Sequence, residues 1–182
     1  MESRFRVLFL VLPLAVLTLP LSQRTIILAM DVSGSMRATD VLPSRIVAAQ
    51  EAAKAFVNDL PREVRVGIVS FAGTAAVAQA PTSSREDIIA AIDRFQLQRA
   101  TATGSGIILS LATLFPDAGI EIEQATGQRN MPSPLGETKE KKEFTPVAPG
   151  SYESAAIIML TDGARTTGPD PLEAAKMAAD RG

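Results

Sequence analysis

The stretch from Arg24 to Asp31 is apolar at almost every position and ends on a carboxylate. A strand without a polar face must be covered by helices on both sides, as parallel strands are in α/β proteins. Downstream, short β-branched runs alternate with longer segments of helical period, a pattern typical of βαβ units. The sequence therefore predicts an α/β fold, with a central, mostly parallel sheet and helices on both faces.

The alternation of β-branched runs and helical segments also gives the order of the predicted elements. The strands are predicted at 24–31, 64–71, 75–80 and 155–161, and the helices at 43–60, 84–95, 104–115 and 170–181. Gly73 and Thr74 form a turn, so the strand at 75–80 is expected to be an antiparallel edge strand that Pro81 ends. The chain stops at Gly182, where a βα pattern would continue into another strand. We therefore expect the last strand to be missing and the stability of the chain to suffer.

Composition limits the chemistry. At 182 residues the chain is about one domain long. It contains no His and no Cys, which excludes Ser-His-Asp and Cys-His mechanisms and a structural zinc site. The net charge is −2, with basic and acidic residues interspersed, so nucleic acid is not an expected partner.

The first 21 residues form a hydrophobic segment that is distinct from the domain predicted over 22–182. An apolar run from Val7 to Leu21 follows Arg4 and Arg6, as in an export signal or a membrane anchor. It is short for a membrane span and is interrupted by prolines, so a clipped anchor is one interpretation. An additional strand at 14–19 is the alternative.

A long polar stretch, 116–154, separates the third helix from the last strand. It contains four prolines after position 130 and a charged run at 137–143, and it has almost no periodicity. A loop of this length is usually functional or disordered, and the charged run is most simply a solvated surface. Because it leaves a helix and enters a strand, it belongs to the amino edge of the sheet, opposite the edge where Asp31 lies, and we exclude it from a site at that opposite edge.

Oxygen-bearing side chains gather at the opposite edge of the predicted sheet. Asp31 and Asp162 each end a predicted strand, and Ser33 and Ser35 follow Asp31 at alternate positions. An extended loop would point both hydroxyls the same way. The loop between the second and third helices adds Thr101 at the same edge. Ligands at the carboxyl ends of strands are expected to share one site.

Hydroxyls and carboxylates without nitrogen or sulfur suit a small hard cation, Mg²⁺ above all, with Mn²⁺ or Ca²⁺ as alternatives. Thr103 is an alternative to Thr101 as a ligand. Asp40 is interpreted as a helix-entry residue, with a ligand role as its alternative. Taken alone, the loop after Asp31 could also be an ordinary turn in which Asp and Ser cap backbone groups.

Together, Asp31-x-Ser33-x-Ser35, Thr101 and Thr161-Asp162-Gly163 resemble the metal-ion-dependent adhesion site of von Willebrand factor A domains, which have a Rossmann-like fold. The resemblance covers Arg24 to the chain end. It implies that Ser33, Ser35 and Thr101 bind the metal through their hydroxyls, and that both aspartates act directly or through water. It also implies that an acidic side chain of a partner protein completes the metal's coordination, so the expected function is binding and not catalysis.

The run Asp31 to Met36 continues into Ala38-x-Asp40-x-x-Pro43-x-Arg45. Together with Val66 to Gly73, this stretch is similar to bacterial aerotolerance-type membrane proteins. This resemblance implies a domain held at the cytoplasmic membrane by a preceding hydrophobic helix, and facing the periplasm. It also implies that the domain works with an AAA+ ATPase system of the MoxR kind.

Two other classes of function stay open. A phosphate-ester hydrolase of the haloacid dehalogenase type also has an aspartate at the end of its first strand. It needs a second carboxylate two residues later, where this chain has Ser33, and the sequence has no GxxxxGK[ST] phosphate loop. A non-functional fragment is the remaining alternative.

Overall fold

A computed structural model of the chain describes residues 24–126, 145–163 and 165–182. The strands are β1 (Thr25–Asp31), β2 (Arg65–Phe71), β3 (Ala75–Thr82) and β4 (Ala155–Leu160). The helices are α1 (Arg45–Asp59), α2 (Arg85–Asp93), α3 (Thr103–Leu114), α4 (Glu123–Thr126) and α5 (Pro171–Ala179). Two short 3₁₀ turns cover Gly34–Arg37 and Pro116–Ala118.

The four strands form one sheet in the order β3-β2-β1-β4. β1 pairs in parallel with β2 on one side and with β4 on the other, and β3 is antiparallel to β2 at the edge. The predicted α/β class and the antiparallel edge strand are therefore confirmed. Because β1 and β4 are parallel neighbours, Asp31 and the segment that follows β4 lie at the same edge of the sheet.

Alternate residues of β1 face two different helical layers. Leu28 and Met30 belong to a core that includes residues of α1 and α2, whereas Ile27 and Ala29 pack with Leu109 of α3. A third cluster joins α3 to α4 and α5. Both faces of the central strand are thus covered by helices, which explains why its sequence has no polar face.

Two helix starts have the side-chain caps that the sequence predicts. The Ser84 hydroxyl accepts a hydrogen bond from the Asp87 amide at the start of α2, and Asp170 accepts from the amides of Leu172 and Glu173 at the start of α5. Such caps satisfy amides that have no partner within the helix. Pro171 occupies the first position of α5, where its missing N–H costs nothing.

The boundaries predicted for the start of α1 and the end of β3 are wrong. α1 begins at Arg45 and not at residue 43, because the Ser44 hydroxyl caps it by accepting from the Val47 amide. Pro81 does not end β3, which continues to Thr82. A proline is tolerated there because β3 is an edge strand and its pairing with β2 is irregular near that end.

The stretch 116–154 is not wholly a polar loop. It contains the 3₁₀ turn Pro116–Ala118 and the short helix α4, whose Ala125 is fully buried in the cluster with α3 and α5. The apolar residues that pack α4 against α3 and α5 are scattered among polar ones and show no helical period. The charged run at 137–143 lies outside the described residues, and so does the hydrophobic segment 1–21. Within the described part of the chain, no helix is long and apolar enough to cross a membrane.

Candidate metal centre

The carboxylate of Asp31 is held at both of its oxygens. Its side chain lies at the end of β1 and the residue is only 1% exposed. Oδ1 accepts a hydrogen bond from the amide of Ser33 at 2.8 Å, and Oδ2 accepts from the hydroxyl of Thr161 at 2.7 Å. The second bond joins the end of β1 to the residue after β4. Asp31 is therefore a buried, oriented carboxylate, the kind of group that needs compensation by donors or a cation.

The hydroxyls of Ser33 and Ser35 lie 2.9 Å apart. Ser33 is buried and extended (φ −70°, ψ 161°), and the chain then enters the 3₁₀ turn Gly34–Arg37, whose Met36 is buried. The two hydroxyls do come together as predicted, but not through an extended loop. The turn brings Ser35 back toward Ser33, and the apolar anchor at Met36 accounts for that turn.

Thr101 lies in a loop that is fastened to the ends of both β1 and β2. The amide of Gln98 donates to the carbonyl of Val32 at 2.7 Å, and the amide of Ala102 donates to the carbonyl of Ala72. Thr101 itself is 3% exposed, and the preceding Ala100 has a left-handed backbone (φ 65°). A non-glycine residue in that conformation is strained and is often found at functional sites.

The Thr101 loop also contacts the segment that follows Asp162. The Thr101 amide donates to the Thr166 hydroxyl at 2.8 Å, and the Thr101 carbonyl accepts from the amides of Thr166 and Thr167. Gly104, at the start of α3, packs so closely against Pro169 that a β-carbon would collide with the Pro169 carbonyl. Backbone contacts therefore connect the loop before α3 to two other loops, the one after β1 and the one after β4.

Thr103 remains an alternative to Thr101. It is the first residue of α3, and its hydroxyl is buried without a hydrogen-bond partner among the described residues. The hydroxyl of Ser105 is in the same situation. Buried hydroxyls normally have a partner, so these orphaned oxygens identify the amino end of α3 as a place where a water or an ion is needed.

Asp162 has a basic partner that the sequence reading did not assign. Nη1 of Arg45 donates to Oδ2 of Asp162 at 2.9 Å, while Nε and Nη2 of Arg45 donate to the two oxygens of Asp40, each at 2.8 Å. The hydrogen bond from Arg45 lowers the pKa of Asp40, and the Asp40 hydrogen bond raises the pKa of Arg45. Asp40 therefore supports Arg45 at the entry to α1, as expected of a helix-entry residue.

The structure connects the loops of all five predicted ligands to one another by hydrogen bonds. Asp31 and Ser33 share a hydrogen bond, Ser33 and Ser35 share another, and Thr161 ties the residue before Asp162 to Asp31. Thr101 is connected through backbone bonds of its loop. Within the described residues no group of three or more His, Cys, Asp and Glu side chains clusters, so any cation here would depend on the hydroxyls.

Sequence reasoning missed the roles of Thr161 and Arg45. In the sequence Thr161 stands out only as the first residue of Thr161-Asp162-Gly163, and its bond to Asp31 spans 130 positions. The position of Arg45 in the sequence does contain a signal of its carboxylate partners. A cation in the first turn of a helix is unfavourable beside the positive end of the helix dipole, so an arginine there implies nearby carboxylates.

A cavity of about 470 Å³ borders this site between α1 and β4. Asp40, Arg45 and Asp162 form its polar side, and Ala48, Ala52 and Met159 are among its apolar lining. The predicted cation site thus has an apolar groove next to it.

Fold and site together define an α/β domain in which hydroxyls and carboxylates converge at the carboxyl edge of a mostly parallel sheet. The sequence profile of the von Willebrand factor type A domain matches residues 26–164, well over half of the chain. The chain belongs to this family.

Curated relatives include a UPF0353 protein of Nocardia farcinica, 49% identical over 102 residues, which are 56% of this chain and 30% of the relative. A UPF0353 protein of Mycolicibacterium vanbaalenii is 40% identical over 141 residues, covering 75% of this chain and 41% of the relative. The chain thus spans less than half the length of these relatives.

Two solved structures are partly similar. BatB of Bacteroides thetaiotaomicron is 30% identical with a TM-score of 0.48, covering 53% of this chain and 49% of that one. A membrane spanning protein of Vibrio fischeri is 26% identical with a TM-score of 0.49, covering 52% of this chain and 50% of that one.

Proposed function

We propose that this domain is a divalent-metal-dependent protein-binding module that holds an acidic side chain of a partner through the metal. Ser33, Ser35 and Thr101 would bind Mg²⁺ through their hydroxyls, and Asp31 and Asp162 would act directly or through water. The cation supplies an electrophilic centre for an incoming Asp or Glu. Where an aspartate binds the metal through water and not directly, the metal keeps more of its positive charge. It then attracts the carboxylate of the partner more strongly.

The observation that carries this proposal is the 2.9 Å separation of the Ser33 and Ser35 hydroxyl oxygens. In an octahedron with metal-oxygen distances of about 2.0–2.1 Å, neighbouring ligands lie about 2.9 Å apart. The two hydroxyls therefore fit adjacent corners of a Mg²⁺ octahedron. Oxygen ligands suit a hard cation, Mg²⁺ above all, with Mn²⁺ or Ca²⁺ as alternatives.

Charge and burial also support a cation. The site contains two carboxylates, of which Asp31 is 1% exposed, and Arg45 contacts only one of them. All five proposed ligands offer oxygen, which suits a hard cation.

We further propose the setting in which the module acts. The solved relatives described above include a membrane spanning protein, and the sequence has an apolar run before the domain. We propose attachment to the bacterial cytoplasmic membrane with the domain in the periplasm, and cooperation with an AAA+ ATPase system of the MoxR kind.

The experiment is calorimetric titration of the chain with Mg²⁺, combined with thermal unfolding in Mg²⁺ and in EDTA. At about 100 times the dissociation constant, a bound cation stabilises the fold by about 2.7 kcal/mol, which raises the melting temperature of a domain of this size by about 5–10 °C. Ser33→Ala should abolish both the heat of binding and this rise.

The matched control is Ser110→Ala. Ser110 is also fully buried, but its hydroxyl donates to the Gly106 carbonyl inside α3, away from the site. This variant should lower the melting temperature in EDTA and keep the Mg²⁺-dependent rise. Thr101→Val and Thr103→Val separate the two threonines, because only the ligand should lose Mg²⁺ binding. Unchanged melting of the wild-type chain in Mg²⁺ would contradict the proposal.

A further inference from the structure

We propose that Arg45 is the built-in counter-ion of Asp162 and competes with the divalent cation for that carboxylate, so that it lowers the affinity of the site for the cation. The inference rests on the proposed function, because it assumes a cation beside Asp162. It assigns Arg45, outside the expected ligand set, a role in setting how tightly the cation is held.

The contact between the two side chains is direct and sheltered. Nη1 of Arg45 lies 2.9 Å from Oδ2 of Asp162, and the Asp162 side chain is only 9% exposed. A carboxylate this far out of water needs a compensating charge or donors. In the cation-free chain, Arg45 supplies that charge.

Asp40 holds the guanidinium in place. It accepts from Nε and Nη2 of Arg45, each at 2.8 Å, which leaves Nη1 directed at Asp162. The Asp40 side chain is 57% exposed, so solvent screens its pairing with Arg45 and its contribution is mainly orientation. The guanidinium fork is thus shared between an exposed carboxylate and a sheltered one.

A cation bound next to Asp162 would meet the positive charge of Arg45. The two cations repel each other, and both draw on the same carboxylate. The arginine therefore opposes cation binding, and it also neutralises negative charge that would otherwise reach the metal. A metal that keeps more of its charge attracts an acidic partner more strongly.

The experiment measures the Mg²⁺ dissociation constant of the full chain by calorimetry for wild type, Arg45→Gln and Asp40→Asn. Arg45→Gln removes the positive charge and should tighten Mg²⁺ binding at least about threefold, the scale of an interaction between unit charges a few ångströms apart in water. Asp40→Asn weakens the contact that directs Arg45 at Asp162, so it should also tighten Mg²⁺ binding, but by less than Arg45→Gln. In EDTA, Arg45→Gln should melt below wild type and regain stability in Mg²⁺.

Lys54→Gln is the matched control. Lys54 is another ion-paired cation of α1, but it contacts Glu51 at 2.7 Å and Asp93 at 3.0 Å and not the site. The Mg²⁺ affinity of the Lys54→Gln variant should equal that of the wild-type chain. A purely structural role for Arg45 would predict weaker Mg²⁺ binding on its removal, which is the opposite sign.

The outcomes separate the two proposals. Wild-type chain that binds Mg²⁺, with Arg45→Gln binding equally or more weakly, overturns the counter-ion role alone. If Arg45→Gln does not fold, an unchanged or weaker Mg²⁺ affinity of Asp40→Asn overturns it instead. Wild-type chain that shows no Mg²⁺ binding overturns the proposed function and this inference with it.

Discussion

Thr161→Val tests the bond that joins the ends of β1 and β4. The substitution keeps the shape of the side chain and removes the hydroxyl that donates to Asp31 at 2.7 Å. Hydrogen bonds to charged groups contribute about 1.5–3 kcal/mol, and the cost is high when the charge is buried, as Asp31 is. Thr161 itself is exposed, so water can replace part of the donor and the lower end of that range applies.

We therefore expect Thr161→Val to lower the free energy of unfolding by about 1.5 kcal/mol and the melting temperature by about 3–6 °C. Urea unfolding followed by circular dichroism measures the first quantity, and a thermal scan in EDTA measures the second.

The control for this substitution is Thr113→Val. The Thr113 hydroxyl donates at 2.7 Å to the neutral carbonyl of Leu109 within α3, so its loss should cost less, about 1 kcal/mol or below. If Thr161→Val is no more destabilising than Thr113→Val, the hydroxyl does not support the Asp31 carboxylate and the reasoning fails.

Three further predictions concern packing, capping and pH. Gly106→Ala would place a β-carbon 2.7 Å from the Phe71 ring, and overpacking should cost about 1–3 kcal/mol in urea unfolding; a neutral result would show that α3 can move away from the sheet. Ser84→Ala removes the cap of α2 and should cost about 1 kcal/mol by the same measurement, whereas an unchanged midpoint would contradict the cap. The hydrogen bond from Arg45 lowers the pKa of Asp40 below 3.8, so this pair stabilises the fold above that pH and loses its effect as the pH falls. The difference in urea midpoint between wild type and Asp40→Asn should therefore shrink between about pH 6 and about pH 3, and a difference that grows would contradict the pairing.

Much of the fold could be predicted because its signals are local. The apolar run of β1, the turn after β2 and the caps at Ser84 and Asp170 are each set by neighbouring residues, and the structure confirms them. The short helix α4 could not be predicted, since it has no helical period of its own and is held by burial of Ala125 against distant helices.

The site was predictable only in outline. Strand order implied that the strands leading to Asp31 and Asp162 are neighbours, and the pairing of β1 with β4 confirms this; Asp162 itself lies two residues beyond the end of β4. The bond from Arg45 to Asp162 connects positions 117 apart and depends on where α1 packs, which no local pattern reports. The roles of the five residues as metal ligands stay a prediction.

The most direct test of the metal-dependent account is a crystal structure of the chain grown with Mn²⁺, with anomalous diffraction used to locate the ion. The account predicts one strong peak within about 2.2 Å of the Ser33 and Ser35 hydroxyl oxygens and beside Thr101, with Asp31 and Asp162 close by. A structure with saturating Mn²⁺ and no peak between those two hydroxyls would contradict it.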